Sequence, residues 1–374
     1  MKIWQSMITM GLALGLASGA TASGQSAVDT EQDPAQARAS GALWLIEHQG
    51  HDGGWGAGAF GQSAGGADSD VATTSLAVMA LMRDADGGPK NRASIERGVR
   101  FVVRTVESSP LEGPRLQGPE GTQPQYKLGR NVDTHFAALM LGEAIPTLSG
   151  DAHARADIAY DKVLTKVVAA QQADGSFDGN GWAPVLSSSV AAQSLYRARE
   201  LGKEILPETL ARSDAYQRKL VDTETGEFDA SEGAGVDLYA AASSLRGNSN
   251  AAKRAEGEER DRALAAARTS ADAVGRDRGG LIAGFGSVGG EEMLSYMMIS
   301  DSMAEQGGDD WKAWEGRIGH HLVAIQNADG SWSGHHCITS TTFVTAAAVM
   351  TLGSGDAIAA HTSTTGEQSV AKRR

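Results

Sequence analysis

The one cysteine of the chain stands in Gly334-His335-His336-Cys337-Ile338-Thr339, directly after two histidines. Thiolate, imidazole and carboxylate are the groups that hold Zn²⁺, and a zinc site with an open position activates a bound water as a nucleophile. Without a metal, a helix N-terminus or protonated histidines would lower the pKa of the thiol and make Cys337 itself the nucleophile. Second helices can be aligned on an apolar residue six positions into each. Asp70 then pairs with Leu76, Asp133 with Leu139, Ser189 with Leu195, Glu292 with Met298 and Cys337 with Phe343, while Asp237 fits less well. In a closed ring of helices these starts converge around one end of the cavity. The expected metal ligands are therefore His335, His336, Cys337 and Glu292, and the expected ligand contacts are Asp133, His135 and Asp237. Asp and Ser at a helix start are ordinary N-caps worth about 1 kcal/mol, so most of this ring needs no function. A thiol is a poor cap, which is why the expectation of chemistry rests on Cys337. The plain alternative is a partly buried thiol with two polar neighbours on a turn.

Other candidates carry less. Gly61-Gln62-Ser63-Ala64-Gly65 matches a nucleophile-elbow string, but that device needs a strand before it and a helix after it, and here it falls in a glycine-rich loop between helices. His320-His321 lies on an expected outer helix, facing solvent.

The elements that must position these groups are marked by a repeat. Gln49-Gly50-His51-Asp52-Gly53-Gly54-Trp55, Gln171-Gln172-Ala173-Asp174-Gly175-Ser176-Phe177 and Gln326-Asn327-Ala328-Asp329-Gly330-Ser331-Trp332 each follow an amphipathic helix and precede a more apolar one. Asp-Gly supplies the tight turn, because glycine enters positive φ without steric cost. The Gln amide is expected to satisfy backbone groups left unpaired by the turn, and the aromatic to tuck between hairpins. With weaker copies this gives six hairpins near 40–83, 91–145, 158–202, 209–247, 251–306 and 311–353. Repeats that bury their faces only against neighbours build a solenoid or a ring, and polar first helices with hydrophobic second helices favour an all-α (α/α)6 toroid with the second helices inside. Residues 108–130 hold four of the nine prolines and are expected to cover one mouth of the ring.

These turns with paired helices resemble the repeats of squalene and oxidosqualene cyclases and of protein prenyltransferase β subunits, which share an α/α toroid. The resemblance covers roughly residues 40 to 353 and is specific for fold more than activity. It implies a cavity for an apolar, isoprenoid-like ligand. Asp68-Ser69-Asp70-Val71-Ala72-Thr73 is similar to the cyclase acid motif, which places Asp70 as the catalytic acid, although Val71 stands where the motif has a second carboxyl. The stretch from His335 to Cys337 is similar to the zinc-binding His-x-Cys of the prenyltransferases, and the Asp-x-Cys half of that site is absent.

Lys2, the apolar stretch Met7 to Ala17 and Ala20-Thr21-Ala22 read as a secretory signal at 1–22, followed by a linker at 23–39, the toroid at 40–353 and a disordered tail at 354–374. The implied location is secreted or periplasmic. A net charge of −13 opposes nucleic acid and anionic lipid as partners, and no apolar run reaches the ~20 residues a membrane span needs. Only 5% of residues are aromatic, which argues against an aromatic-walled sugar cleft. Three functions follow: binding or transformation of a small apolar ligand at the cavity mouth, with zinc as the one implied cofactor; a non-catalytic scaffold for an envelope protein; and a metal-dependent hydrolase or lyase.

Overall fold

The computed structural model describes residues 33–59, 67–84, 87–177, 180–277, 280–284 and 288–359. The expected signal sequence, most of the linker, the string from Gly61 to Gly65 and the end of the tail lie outside them. Among the described residues, α1 to α13 run from Pro34 to Leu352, and twelve of these helices form six hairpins. The outer helices are α1 (Pro34–Glu47), α3 (Gly88–Ser108), α6 (Gly150–Ala170), α8 (Pro207–Arg218), α10 (Gly257–Gly275) and α12 (Gly308–Ala324). Their inner partners are α2 (Val71–Met82), α5 (Val132–Ala144), α7 (Pro184–Glu200), α9 (Asp237–Arg254), α11 (Gly290–Gln306) and α13 (Thr341–Leu352), and the short α4 (Gln123–Leu128) stands apart. Each inner helix packs on the next, and α13 returns to α2, closing the ring.

The two classes of helix differ as their sequences dictate. In α3 the buried positions are Asn91, Ser94, Gly98, Val99, Val102, Val103 and Val106, a stripe at helical spacing against the ring. In α2 every residue from Val71 to Leu81 is buried, so that helix is covered on all sides. The other inner helices are covered almost as fully, and their small Ala and Ser side chains let backbones approach. Phe136 of α5 meets Phe343 of α13 edge to face at 6.2 Å, and α7 touches α11, so non-neighbouring helices meet across the axis. The ring is therefore filled by its own side chains, and any ligand is met at a mouth.

The recurring turns do what their residue types promised, and more. Gln49 Nε2 donates to the carbonyl of Gly53 in its own turn (2.7 Å) and to that of Ser94 on the next outer helix (2.9 Å). Gln326 repeats this with Gly330 (2.8 Å) and, across the closure, Ala37 (2.9 Å), while Gln171 reaches Thr209 (2.9 Å). The Asp carboxylates cap their own turns, receiving the N–H of Gly54, Ser176 and Ser331. The backbone N–H groups of the aromatics Trp55, Phe177 and Trp332 donate to Thr74, Ser188 and Thr345 on the following inner helices. Each turn thus joins its own two helices and staples them to the next repeat.

Three boundaries differ from expectation. The first helix starts at Pro34, because Asp33 caps it by accepting from Ala35 N and proline suits the first helical position. Residues 251–254 complete α9, so the outer helix of the fifth repeat begins only at Gly257. Residues 354–359, expected to be disordered, are helical. Ser354 is buried, donating to Asp301 (2.7 Å), and Asp356 pairs with Arg38 of α1.

Candidate ligand site at the roofed mouth

The inner helices are parallel, since starts neighbour starts and ends neighbour ends. At one mouth Asp133 Oδ1 accepts from Ala72 N of the adjoining helix (3.0 Å). At the other, Arg83 Nη1 donates to Met350 O (2.8 Å) and Arg197 Nε to Gly142 O (3.1 Å), each closing a neighbour's last turn. Parallel macrodipoles make the first mouth electropositive and the second electronegative. Asp70, Asp133, Asp237 and Glu292 answer the first, and Arg83, Arg197 and Lys253 the second.

The proline-rich segment lies across the first mouth, as expected. Lys166 Nζ of α6 donates to the carbonyls of Gly113 (2.9 Å) and Arg115 (3.2 Å), and Thr134 to that of Pro114 (2.7 Å). Helix α4 then forms a roof. Gln123, fully buried, donates to Ala57 O (2.9 Å) in the first repeat, and its Oε1 accepts from Thr339 N (2.7 Å) and Ser340 N (3.2 Å) in the sixth. Gln125 Nε2 donates to Asp133 Oδ2 (2.5 Å), and Lys127 O accepts from Ala183 N of the third repeat (2.9 Å).

Under and beside this roof the expected site residues take different places. Asp70 caps α2. Its Oδ1 accepts from Thr73 N (2.7 Å), and its Oδ2 from Ala57 N (2.8 Å) and Thr73 Oγ1 (3.0 Å). Burial, and then the Asp133 carboxyl, raise it to about 7, but both of its oxygens are already engaged by donors that hold it as the cap of α2. Asp133 belongs to the ring-to-roof joint, and burial raises its pKa too. His135 is fully buried, with Nδ1 2.9 Å from Ser187 Oγ and its ring edge-on to Phe177, and burial lowers its pKa to about 3. Asp237, the first residue of α9, is exposed on the rim.

The expected metal set does not assemble. His336 Nε2 lies 3.3 Å from Glu292 Oε1, while Glu292 Oε2 accepts from Gly289 N in a capping box. His335 is exposed, and its backbone N–H donates to Val288 O. Among the described residues no three His, Cys, Asp or Glu groups come together as metal ligands, and a pair falls short of the protein ligands zinc requires.

Cys337 is not a helix start. Ser340 caps α13, accepting from Phe343 N, and Cys337 sits three residues earlier at φ +58°, a conformation rare for non-glycine residues. The expected acidification is reversed: burial and then the Glu291 carboxylate push the thiol up to about 11, against the opposing effect of the Lys127 ammonium. The expected thiolate nucleophile is thus a neutral thiol near pH 7.

Sequence reasoning passed over the group with the most open chemistry. Glu291, next to Glu292 in the first turn of α11, is fully buried, and its Oε2 accepts from Ile338 N (3.1 Å). Its Oε1 has no partner among the described residues, and burial raises the carboxyl to about 7. Tyr239, Lys127 and Cys337 lie within electrostatic reach of this acidic pair. Above, Lys127 Nζ lies 5.1 Å from the ring centre of Trp182 and 5.9 Å from that of Tyr126, both rings being half exposed. The signal for Glu291 in the sequence was the doubled acid of Gly289-Gly290-Glu291-Glu292: one carboxylate completes the capping box, and the other is surplus.

No protein-family model and no curated protein matches the sequence. Solved structures do match its fold. The GH76A α-1,6-mannanase from Salegentibacter sp. HEL1_6 superposes with a TM-score of 0.58 at 10% identity, over 87% of this chain and 100% of that one. A single-residue variant of the type II terpene cyclase MstE from Scytonema, in complex with the product merosterolic acid A, gives 0.56 at 12% identity, over 88% and 99%. The apo form of the same cyclase gives 0.52 at 12% identity, over 87% and 99%. The chain shares with both enzymes the α/α toroid fold.

Proposed function

We propose that this chain is a ligand-binding toroid that acts by acid–base chemistry on a neutral, hydroxyl-bearing ligand held against the roofed mouth, with Glu291 as the proton donor. The observation that carries this reading is the Glu291 carboxyl, kept protonated close to neutral pH, its buried Oε1 without a partner among the described residues. A general acid works best when its pKa lies near the working pH. Asp70 has a similar pKa but three donors on its oxygens, so the acid role passes from Asp70 to Glu291. Tyr126 and Trp182 offer ring faces to the flat side of a sugar, and a mannanase is among the structures of like fold. No step runs through a metal. The test is release of reducing ends from α-1,6-mannan, dextran and β-1,4-glucan. Turnover of at least one, lost by a factor of ~10²–10⁴ in Glu291→Gln, is expected. Full turnover in that variant, or none by the wild type on all three, would overturn the proposal.

A second reading is favoured by the half-exposed Tyr126 and Trp182 together with Leu111, 81% exposed on the proline-rich segment. These side chains suit an apolar partner, whether an isoprenoid-like molecule, in line with the terpene cyclase of like fold, or an envelope protein. Binding of farnesol abolished by Trp182→Ala, with no glycan turned over, would favour it. Export is part of either reading: N-terminal sequencing of the mature chain is expected to begin at Ser23, and an intact Met1 would exclude it.

A further inference from the structure

A groove of about 370 Å³ lies at the seam where the sixth repeat meets the first. Its walls are the Trp44 and His48 rings, Ser69 beside α2, and Thr341 and Thr342 in the first turn of α13. Its size falls within the range of about 300–1,000 Å³ typical of small-ligand sites. The chemistry of its walls is narrow. Among the described residues the only titratable side chain lining it is His48, and the Asp52 carboxylate behind the wall is engaged by Ser69 Oγ (2.9 Å) and Gly54 N (3.0 Å). Trp44 is held in place, its Nε1 donating to Asp329 Oδ2 (3.2 Å) and its ring stacked on His48 at 3.8 Å with 14° between planes. The His48 residue is exposed, so the stack presents a flat, preorganised ring to the groove.

Polar capacity faces this ring. Thr341 and Thr342 are partly exposed, and their hydroxyls make no hydrogen bond among the described residues, whereas Thr345, one turn on, is engaged with Trp332. A hydroxyl both donates and accepts, as do the hydroxyls of a sugar. A ring with an apolar face and hydroxyls at its edge satisfies both walls at once, whereas a purely apolar ligand would leave the threonines without a partner in it. The groove also adjoins the roof, since Ser340, whose N–H donates to Gln123, precedes Thr341 directly.

We infer that this seam groove binds one pyranose ring of a neutral carbohydrate. The inference rests on the proposed function for its ligand class and not on Glu291. It is tested by titrating the full chain with α-1,6-mannobiose, maltose and cellobiose, followed by tryptophan fluorescence and by ligand-observed NMR. A saturable response to at least one disaccharide is expected, weakened tenfold or more in His48→Ala and in Thr342→Val at unchanged Tm, and retained in Glu291→Gln. No saturable response to any of the three, or one that both groove variants leave intact, would overturn it. Binding lost in the groove variants alongside full turnover in Glu291→Gln would instead refute the acid while upholding the groove.

Discussion

Replacing Glu291 by Gln makes a measurable statement about pH. In the folded chain the carboxyl is raised from an ordinary value of 4.5 to about 7, chiefly because burial disfavours the charged form. Below pH 4.5 the residue is protonated whether the chain is folded or unfolded, and Glu and Gln differ only by packing. As pH rises from 4.5 to 7 the unfolded chain releases this proton and the folded chain retains it, so the wild type loses stability relative to the variant. At about 1.36 kcal/mol for each pH unit of displacement, the loss approaches ~3 kcal/mol and levels off above about pH 7. The side chain is fully buried, so solvent does not screen the effect away. Urea unfolding of both proteins at a series of pH values from about 4 to about 8 reads it directly. The expected result is a stability difference that grows in favour of Glu291→Gln across this window by about 2 kcal/mol or more. A difference that stays flat with pH would refute the placement of a protonated, partnerless carboxyl in α11, and with it the acid role.

Three further outcomes follow from the same structure. Gly175 has φ +93°, and a Cβ there would lie 2.1 Å from the Arg212 carbonyl, whereas Gly202 at φ +81° faces open space. Gly202→Ala should cost ~1–2 kcal/mol for its backbone alone and Gly175→Ala a further ~1–3 kcal/mol, so equal losses in urea unfolding would show that the turns do not abut the next repeat. Cys337, with its thiol pushed up to about 11, should react with iodoacetamide at a rate still climbing between about pH 8.5 and about pH 10, and more slowly in Lys127→Met; a plateau near pH 8.5 would contradict the surroundings assigned to it. Asp301→Ala removes the buried partner of Arg83 (2.6 and 2.8 Å) and should destabilise by ~3–5 kcal/mol, and a loss under about 1 kcal/mol would refute the view that this pair ties α2 to α11.

Local chemistry was legible in the sequence, and long-range chemistry was not. The Gln–Asp-Gly–aromatic turns could be read because each part answers a local demand: positive φ, an N–H to cap, a ring to bury. The six hairpins and the inner-outer division followed from these turns and from the contrast of striped and uniformly apolar helices. Cys337 was misplaced because spacing alone cannot show that the chain bends at φ +58° and leaves Ser340, an ordinary N-cap residue, to start α13. Asp133 resembled a cap for its own helix yet caps its neighbour's, a relation that exists only once the ring closes. Gln123 carried no signal at all, since its partners lie 66 and 216 residues away. The missed acid has the same origin: Glu291 is unusual for what surrounds it, and those surroundings come from α4 and from the loop before α13.

The parallel ring supplies a measure of which buried charges call for an explanation beyond folding. Six helix starts at one mouth create a demand for acceptors and negative charge, and six ends at the other a demand for donors and positive charge. At the second mouth that demand is met: Arg83 and Arg197 close neighbouring helices, Asp301 and Glu305 answer Arg83 and Arg246, and Lys253 pairs with Glu305. At the first mouth Asp70 and Asp133 are absorbed by backbone donors and the roof, and Glu292 by its capping box and His336. Glu291 is left with one oxygen satisfied and one buried without a partner among the described residues, within electrostatic reach of Lys127 and Cys337. A buried carboxyl that is not needed as a cap carries a desolvation cost that an apolar residue in its place would avoid. That surplus, at the mouth where the roof, Trp182 and the seam groove converge, is the physical reason to look for the ligand here and not at the opposite end.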